Sequence, residues 1–444
     1  MTKLAAGLRA ALLAAALAAA PLAGQAHDFE RHALTLTPSR PADVGFDAER
    51  LKRLDAAMKK AVDEGRLAGV QTLLVRHGKA VHAQTYGKAS LATGAPLKDD
   101  AIYRIYSMSK PVTGVAMMIL YEEGKWSLDD PVTKYLPELK GLQVYAGEKD
   151  GKPVLVPAKR PPTMRELMSH TAGFGYGLGD QHPVDKQFRA EKVFEATSLN
   201  DMTARVARIP LLAQPGERWS YSIAVDLQGA IVERLSGQSL GDFMQARMFG
   251  PLKMTDTAFQ TGQAKAGRLS EVFVYNPKTR QLEAAKGFVG FDLPDYVQPP
   301  AAHFGGMGLV STMEDYARFC QMLLNGGELD GARILSPASV ELLGTNVLPD
   351  AMRVASDGRQ ASFGSEHVGF GLDFMVVEDP RAAGQMVGKG SMSWGGAAGT
   401  WFWVDPTNDL FFIGMIQRFG PAGDEDLRRI SETLTYSALV DPEK

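Results

Sequence analysis

Tyr103-Arg104-Ile105-Tyr106-Ser107-Met108-Ser109-Lys110 is the stretch on which the reading of this chain turns. It runs into an apolar segment that continues through Leu120 and stops at Gly124, so Ser107 and Lys110 stand at the start of a predicted helix. Positions i and i+3 share one face of a helix, which lets the Ser107 hydroxyl and the Lys110 ammonium meet. A serine hydroxyl is a weak nucleophile until a neighbour takes its proton. A lysine can take it where burial and other cations lower the ordinary ammonium pKa of ~10.4. The helix N-terminus adds positive potential and free backbone N–H groups that favour an oxyanion. Taken alone, such a four-residue pattern serves equally well as a surface Ser and Lys.

Upstream, Asp47 is placed to cap a helix with Leu51, Leu54, Met58 and Val62 on one face, ending near Gly65. Val70 to Arg76 and Lys79 to Tyr86 flank His77-Gly78 and predict a hairpin. Downstream, residues 111–360 read as helices joined by Pro- and Gly-rich loops. Strand character returns in His367 to Val377, Gln385 to Val387, Gly399 to Val404 and Leu410 to Gln417, with Asp405-Pro406-Thr407-Asn408-Asp409 turning between the last two. Leu427, Ile430 and Leu434 mark a terminal amphipathic helix. The expectation is an α/β protein of the α+β kind. One sheet is built from both chain ends, about 41–110 and 361–438, and an all-helical domain is inserted over about 111–360.

The 444 residues, 45% hydrophobic and 22% charged, exclude disordered and fibrous readings. With 48 basic against 51 acidic residues and no long Lys or Arg run, nucleic acid is excluded as a partner. Met1 to Ala26 carries Lys3 and Arg9, an apolar run from Ala10 to Ala20 and a small-residue end at Gly24-Gln25-Ala26, the pattern of a cleaved secretory signal. The run is shorter than the ~20 residues that span a bilayer, and no Cys adjoins the cleavage site. A periplasmic or secreted protein without a stable membrane anchor is expected. Cys320 is the sole cysteine, so neither an intramolecular disulfide nor a thiolate metal cluster can be built. It shares helical spacing with Tyr316, Phe319, Leu323 and Leu324 and is expected to be a buried apolar thiol.

Two further patterns stand out: Trp219-Ser220-Tyr221-Ser222 ahead of a helix carrying Leu227, Ile231 and Leu235, and Ser393-Trp394-Gly395-Gly396-Ala397 ahead of a strand. Ser169-His170 and His303 would suit a Ser-His-Asp enzyme, but no Gly-x-Ser-x-Gly elbow occurs, and His170 is read as bracing a loop. No His-Glu-x-x-His pattern or phosphate-binding glycine loop is present. Gly173 to Asp180 and Gln260 to Pro300 are either borders of a cleft or ordered surface loops.

Together with Gly45-Phe46-Asp47, Leu128-Asp129-Asp130-Pro131, Leu167-Met168-Ser169-His170-Thr171-Ala172-Gly173 and Gly305-Gly306-Met307-Gly308-Leu309-Val310-Ser311-Thr312, these motifs make the chain resemble the serine β-lactamase and penicillin-binding-protein superfamily over about residues 41–438. The similarity is to its class C-like branch, which contains the family VIII esterases. The resemblance implies a β-lactamase/transpeptidase-like fold and an acyl-enzyme on Ser107. Lys110 and Tyr221 would share the proton transfers, and the Ser107 and Ala397 N–H groups would form the oxyanion hole. Gly395 and Gly396 would let an edge strand come close to the nucleophile. Where β-lactamases have Asn two residues beyond the tyrosine, this chain has Ile223, and where their strand motif begins with Lys it has Trp394. With Ile223, Trp394, Gly395 and Gly396 lining the pocket, the resemblance implies small uncharged esters of short or medium acyl chains, with no metal or organic cofactor. Trp401 and Trp403 lie close by in sequence and share one face of a strand, so at least one is expected in the core. The alternatives are a β-lactamase, a D-amino-acid peptidase, an acyltransferase, and a catalytically silent cell-wall or ligand-binding protein. The oligomeric state is not read from the sequence.

Overall fold

The hairpin expected around His77-Gly78 joins β1 (Gly69–Arg76) to β2 (Lys79–Gly87), and its two turn residues take left-handed φ values of 50° and 70°. Two consecutive residues with positive φ match the right-handed twist of the flanking strands. The computed structural model describes residues 29–179, 182–288, 291–353, 366–420 and 426–444, so the predicted signal segment at 1–26 lies outside the described residues. Five further strands complete the main sheet: β3 (Val368–Phe370), β4 (Met375–Val377), β5 (Met392–Gly395), β6 (Trp401–Asp405) and β7 (Leu410–Met415). Their spatial order is β3-β4-β5-β6-β7-β1-β2 with every neighbouring pair antiparallel. The sheet does draw on both chain ends, and the β7–β1 pairing closes it.

Side chains alternate across the sheet and split the core in two. Trp401, Trp403, Leu410 and Phe412 face one way, under α1 (Ala48–Asp63) and the C-terminal helix Leu427–Ala438. Phe402, Val404, Phe411 and Ile413 face the other way, into the larger cluster containing α2 (Ser109–Glu122), α3 (Ala224–Ser236) and α4 (Met313–Leu324), which leaves Leu427–Ala438 as α5. Asp47 caps α1 by accepting from the Arg50 amide. Cys320 is buried on α4, as its neighbours predict. α2 is buried from Ser109 through Leu120, polar residues included, which makes it the central helix of the molecule.

Three expectations are corrected. His367 to Val377 is two strands, because Gly371 to Phe374 turns the chain and Asp373 adopts a φ of 65°. Gln385 to Val387 precedes β5 as a loop. The insert at 111–360 is not all-helical: Gln143–Lys149 pairs with Lys152–Pro157, and Phe273–Asn276 pairs with Gln281–Ala284. These hairpins are largely exposed, Val154, Leu155 and Val156 included, so little apolar burial announces them in the sequence.

Arg76 fastens the two ends of the chain at one end of the sheet. Its guanidinium donates to the carbonyls of Asn408 (2.9 Å), Val44 (3.0 Å) and Pro442 (2.5 Å), while the side chain is only 2% exposed. Arg76→Met keeps the length and takes this donor from the buried Val44 carbonyl and from the part-buried carbonyls of Asn408 and Pro442. The expected loss is about 2–4 kcal/mol of stability, read as a lower midpoint in urea unfolding with ester turnover retained by the folded fraction.

Candidate active site

Ser107 lies in a single 3-10 turn, Tyr106–Met108, that feeds directly into α2. Tyr106 holds a left-handed φ of 41°, a conformation costing about 1–3 kcal/mol for a bulky residue. Edge contacts to Tyr296 (6.1 Å) and Phe419 (5.5 Å) clamp its ring in place. The Tyr296 hydroxyl donates to the Met307 carbonyl, so of the segment Gln260 to Pro300 it is Tyr296 that packs against the nucleophile turn.

The Ser107 side chain is half-buried, whereas Lys110 is only 1% exposed. Lys110 Nζ donates to Ser107 Oγ (3.3 Å), Tyr176 Oη (3.0 Å) and the Gly306 carbonyl (2.7 Å). Those three bonds use all the protons of an ammonium. Tyr221 Oη donates to Ser107 Oγ at 2.7 Å, and the ammonium sits 4.6 Å from the centre of the Tyr221 ring. The three residues predicted to act together are therefore in mutual contact.

Around them lies a layer that sequence reasoning missed. Gly306 N–H donates to Asp226 Oδ1 (2.9 Å) on the first turn of α3, and the Gly305 carbonyl accepts from Thr113 Oγ1 (2.8 Å) on α2. A β-carbon at Gly306 would stand 2.6 Å from Asp226 Oδ2, and one at Gly305 would stand 2.8 Å from the Val225 carbonyl. Only glycines pass between the two helices there. Burial pushes the Asp226 carboxyl up to about 6, against the opposing pull of Lys110 and the Gly306 amide. Burial, then the Asp226 charge, holds the Tyr176 phenol well above its ordinary range. The available signals were Asp226 five residues after Tyr221 and a tyrosine inside the loop Gly173 to Asp180. Of that loop, residues 173–179 are described and pack inward at Tyr176.

His170 braces the tyrosine segment, as expected. It is buried, Nδ1 lies 2.9 Å from Ser222 Oγ, and the ring stands 5.1 Å from that of Tyr221. Burial and the Lys110 charge hold its pKa well below the ordinary imidazole value, so it is neutral. His303 stacks on Phe259 at 4.4 Å and accepts from the Gly241 amide, which is a packing role.

On the far side of Ser107, β5 is an interior strand and not an edge, but Trp394 and Gly395 run past the last residue paired with β4. A β-carbon at Gly396 would lie 2.4 Å from the Ile105 carbonyl, so this glycine lets the strand end approach the nucleophile turn. Gly395 is looser, its nearest such contact being 3.2 Å. Ala397 joins a small apolar cluster with Tyr106, Ala398 and Phe419. Trp394 packs against Tyr221 (5.6 Å) and Phe370 (5.4 Å), and Trp219 stacks beside Tyr221 at 6.2 Å. Ile223 is corrected: it is 0% exposed within the core at the start of α3 and offers a ligand no surface. Trp401 and Trp403 are both core, donating from Nε1 to Ser431 Oγ and Tyr436 Oη (3.1 Å each) beneath α5.

The family model described as Beta-lactamase matches residues 54–436. The chain belongs to the beta-lactamase family. Among its relatives, Protein Rv1367c of Mycobacterium tuberculosis is 34% identical over 82% of this chain and 88% of its own. Esterase EstB of Burkholderia gladioli is 30% identical over 84% of this chain and 92% of its own. Among solved structures, EstCE1, titled a hydrolase with promiscuous acyltransferase activity, superposes with a TM-score of 0.72 at 25% identity over 87% of this chain and 98% of its own. This beta-lactamase-family protein is thus a serine hydrolase of the esterase-like kind, with a β-lactamase/transpeptidase-like fold.

Asp226 yields a pH-dependent test. In the folded protein it keeps its proton up to about pH 6, against the ordinary 3.8. The folded state therefore binds more protons between those values, and this group's contribution to stability falls as pH rises through them. Asp226→Asn preserves the acceptor for Gly306 N–H and removes the ionisation. Its Tm relative to the parent is expected to rise between about pH 4 and pH 7.5, by at most about 3 kcal/mol of stability. Calorimetry at the two pH values checks the sign.

Proposed function

We propose that the protein is an exported serine esterase that cleaves small uncharged carboxylic esters of short or medium acyl chains. Ser107 Oγ attacks the ester carbonyl while its proton passes to the Lys110–Tyr221 pair, which enters the step one proton short, as amine with phenol or ammonium with phenolate, and so has a site to accept it. The same pair returns a proton to the departing alkoxide, and water then releases the acid by the reverse sequence. The oxyanion is held by the Ser107 and Ala397 N–H groups. The observation that carries the reading is Ser107 Oγ lying within reach of both Tyr221 Oη and Lys110 Nζ, beside an aromatic wall of Trp219, Tyr221, Phe370 and Trp394.

With Ile223 withdrawn into the core, Trp394 in place of a lysine carries the argument against anionic β-lactams. An indole offers no charge to a carboxylate, and its ring adds apolar area for an acyl or alcohol group. Export to the periplasm or beyond rests on the basic, apolar and small-residue pattern of residues 1–26. Acyl transfer to an alcohol is the second reading, favoured by the acyltransferase activity named for EstCE1.

Initial rates on p-nitrophenyl butyrate and on a chromogenic cephalosporin, with and without an added alcohol, test this. Ester hydrolysis is expected to dominate and to fall by roughly 10³-fold or more in Ser107→Ala. Tyr221→Phe is expected to lose about 10²–10⁴-fold, mainly in kcat. Dominant cephalosporin turnover would replace the esterase reading, and an ester product formed mainly with the added alcohol would favour the transferase. Turnover that survives in Ser107→Ala would remove the nucleophile.

A further inference from the structure

At the end of the sheet away from Ser107, three separate stretches of chain bring two imidazoles and two carboxylates together. His77 sits in the β1–β2 turn, Asp409 in the β6–β7 turn, and Glu30 and His32 on the N-terminal strap. One nitrogen or oxygen from each of the four lies within 4.8 Å of the others. Asp409 Oδ2 is 2.5 Å from His77 Nδ1 and 2.8 Å from His32 Nε2, and Glu30 Oε2 is 3.4 Å from that same Nε2.

The backbone holds this arrangement independently of the four side chains. His77 N–H donates to the Asp409 carbonyl (3.0 Å), and both residues take left-handed φ values, 50° and 46°. The strap is tied down where Thr35 N–H donates to the Gly78 carbonyl (2.7 Å) and Ala80 N–H to the Thr35 carbonyl (2.9 Å). His32 is held from both sides by buried Asn325, at the end of α4, which accepts from its N–H (3.1 Å) and donates to its carbonyl (2.9 Å). A β-carbon on Gly78 would lie 2.7 Å from His32 Cβ, so the turn glycine allows the imidazole its position.

Hydrogen bonding accounts for only part of the cluster, with His77 Nδ1 pairing to Asp409 Oδ2 at 2.5 Å. His32 Nε2 and His77 Nε2 are both buried without a hydrogen-bond partner, although His32 Nε2 is 2.8 Å from a carboxylate oxygen. A divalent cation would balance the charge of the two carboxylates, with each imidazole offering a nitrogen lone pair. Nitrogen together with oxygen donors favours zinc over calcium or magnesium, which prefer oxygen alone. Ligand atoms about 2.0–2.2 Å from zinc stand about 3.3 Å apart in a tetrahedron. The observed separations, from 2.5 Å to no more than 4.8 Å, bracket that spacing and would even out around a bound ion.

We propose that Glu30, His32, His77 and Asp409 form a structural zinc site that staples the N-terminal strap to the end of the sheet. Its place argues against a role in the reaction. β6 begins at Trp401, beside the Gly395 end of β5, and finishes at Asp405 about 13 Å further along, before the turn that carries Asp409.

The test titrates chelator-treated protein with zinc chloride by calorimetry. One zinc per chain is expected, with a micromolar or tighter Kd, a raised Tm, and unchanged turnover of p-nitrophenyl butyrate. His32→Gln and Asp409→Asn should each weaken binding at least tenfold. His32→Gln lies on the strap outside the main sheet, so it decides the matter if Asp409→Asn fails to fold. No stoichiometric binding by the parent protein, or binding undiminished in His32→Gln, overturns the proposal and leaves a His-Asp-His contact without a metal.

Discussion

An ammonium held out of water needs three acceptors, and the interior of this protein is arranged around supplying them to Lys110. Leaving such a group unpaired would cost several kcal/mol. One acceptor comes from the nucleophile turn, one from Tyr176 in a loop after His170, and one from the carbonyl of Gly306. That last requirement draws a glycine pair into the gap between α2 and α3 and sets Asp226 against its amide. Asp373, fully buried and bonded to Gln228, adds a second carboxyl whose pKa burial pushes well up against the pull of Lys110. Gly114 on α2 leaves room for it, a β-carbon there falling 3.0 Å from Asp373 Oδ2.

The same demand explains why the reactive groups stand on different kinds of structure. Ser107 and Lys110 share the turn that opens α2, with Ser107 half-buried and Lys110 buried. Tyr221 arrives on an irregular segment that would be free to swing without His170 and Trp219 packed against its ring. The aromatic wall therefore serves two ends: it positions the phenol and supplies apolar surface beside the nucleophile. On the opposite face of the sheet, Trp401 and Trp403 use their bulk to seat α5.

Much of the site was legible because its chemistry is local. Ser107 and Lys110 meet through one helical turn, and Tyr221 carries a motif with a recognisable neighbourhood. Tyr176 and Asp226 were not legible, since a tyrosine in a glycine-rich loop and an aspartate early in a helix are ordinary until the fold sets them near one ammonium. Ile223 misled for the converse reason: a position two residues from a site tyrosine turned inward, where α3 begins. The hairpins within 111–360 were missed because their strands are exposed and lack alternating burial.

The sequence by itself determined the sheet's membership from both chain ends, the helix that presents Ser107 with Lys110, and the family, because turn chemistry, helical spacing and ordered motifs are properties of short stretches. Tertiary structure alone decided which tryptophan faces the reaction and which face α5, because adjacent strand positions differ only by the side of the sheet they occupy. It alone brought Glu30 and His32 to His77 and Asp409, whose separation in sequence carries no ligand pattern. Long-range pairing of the β1–β2 and β6–β7 turns, and not spacing along the chain, makes those four residues neighbours.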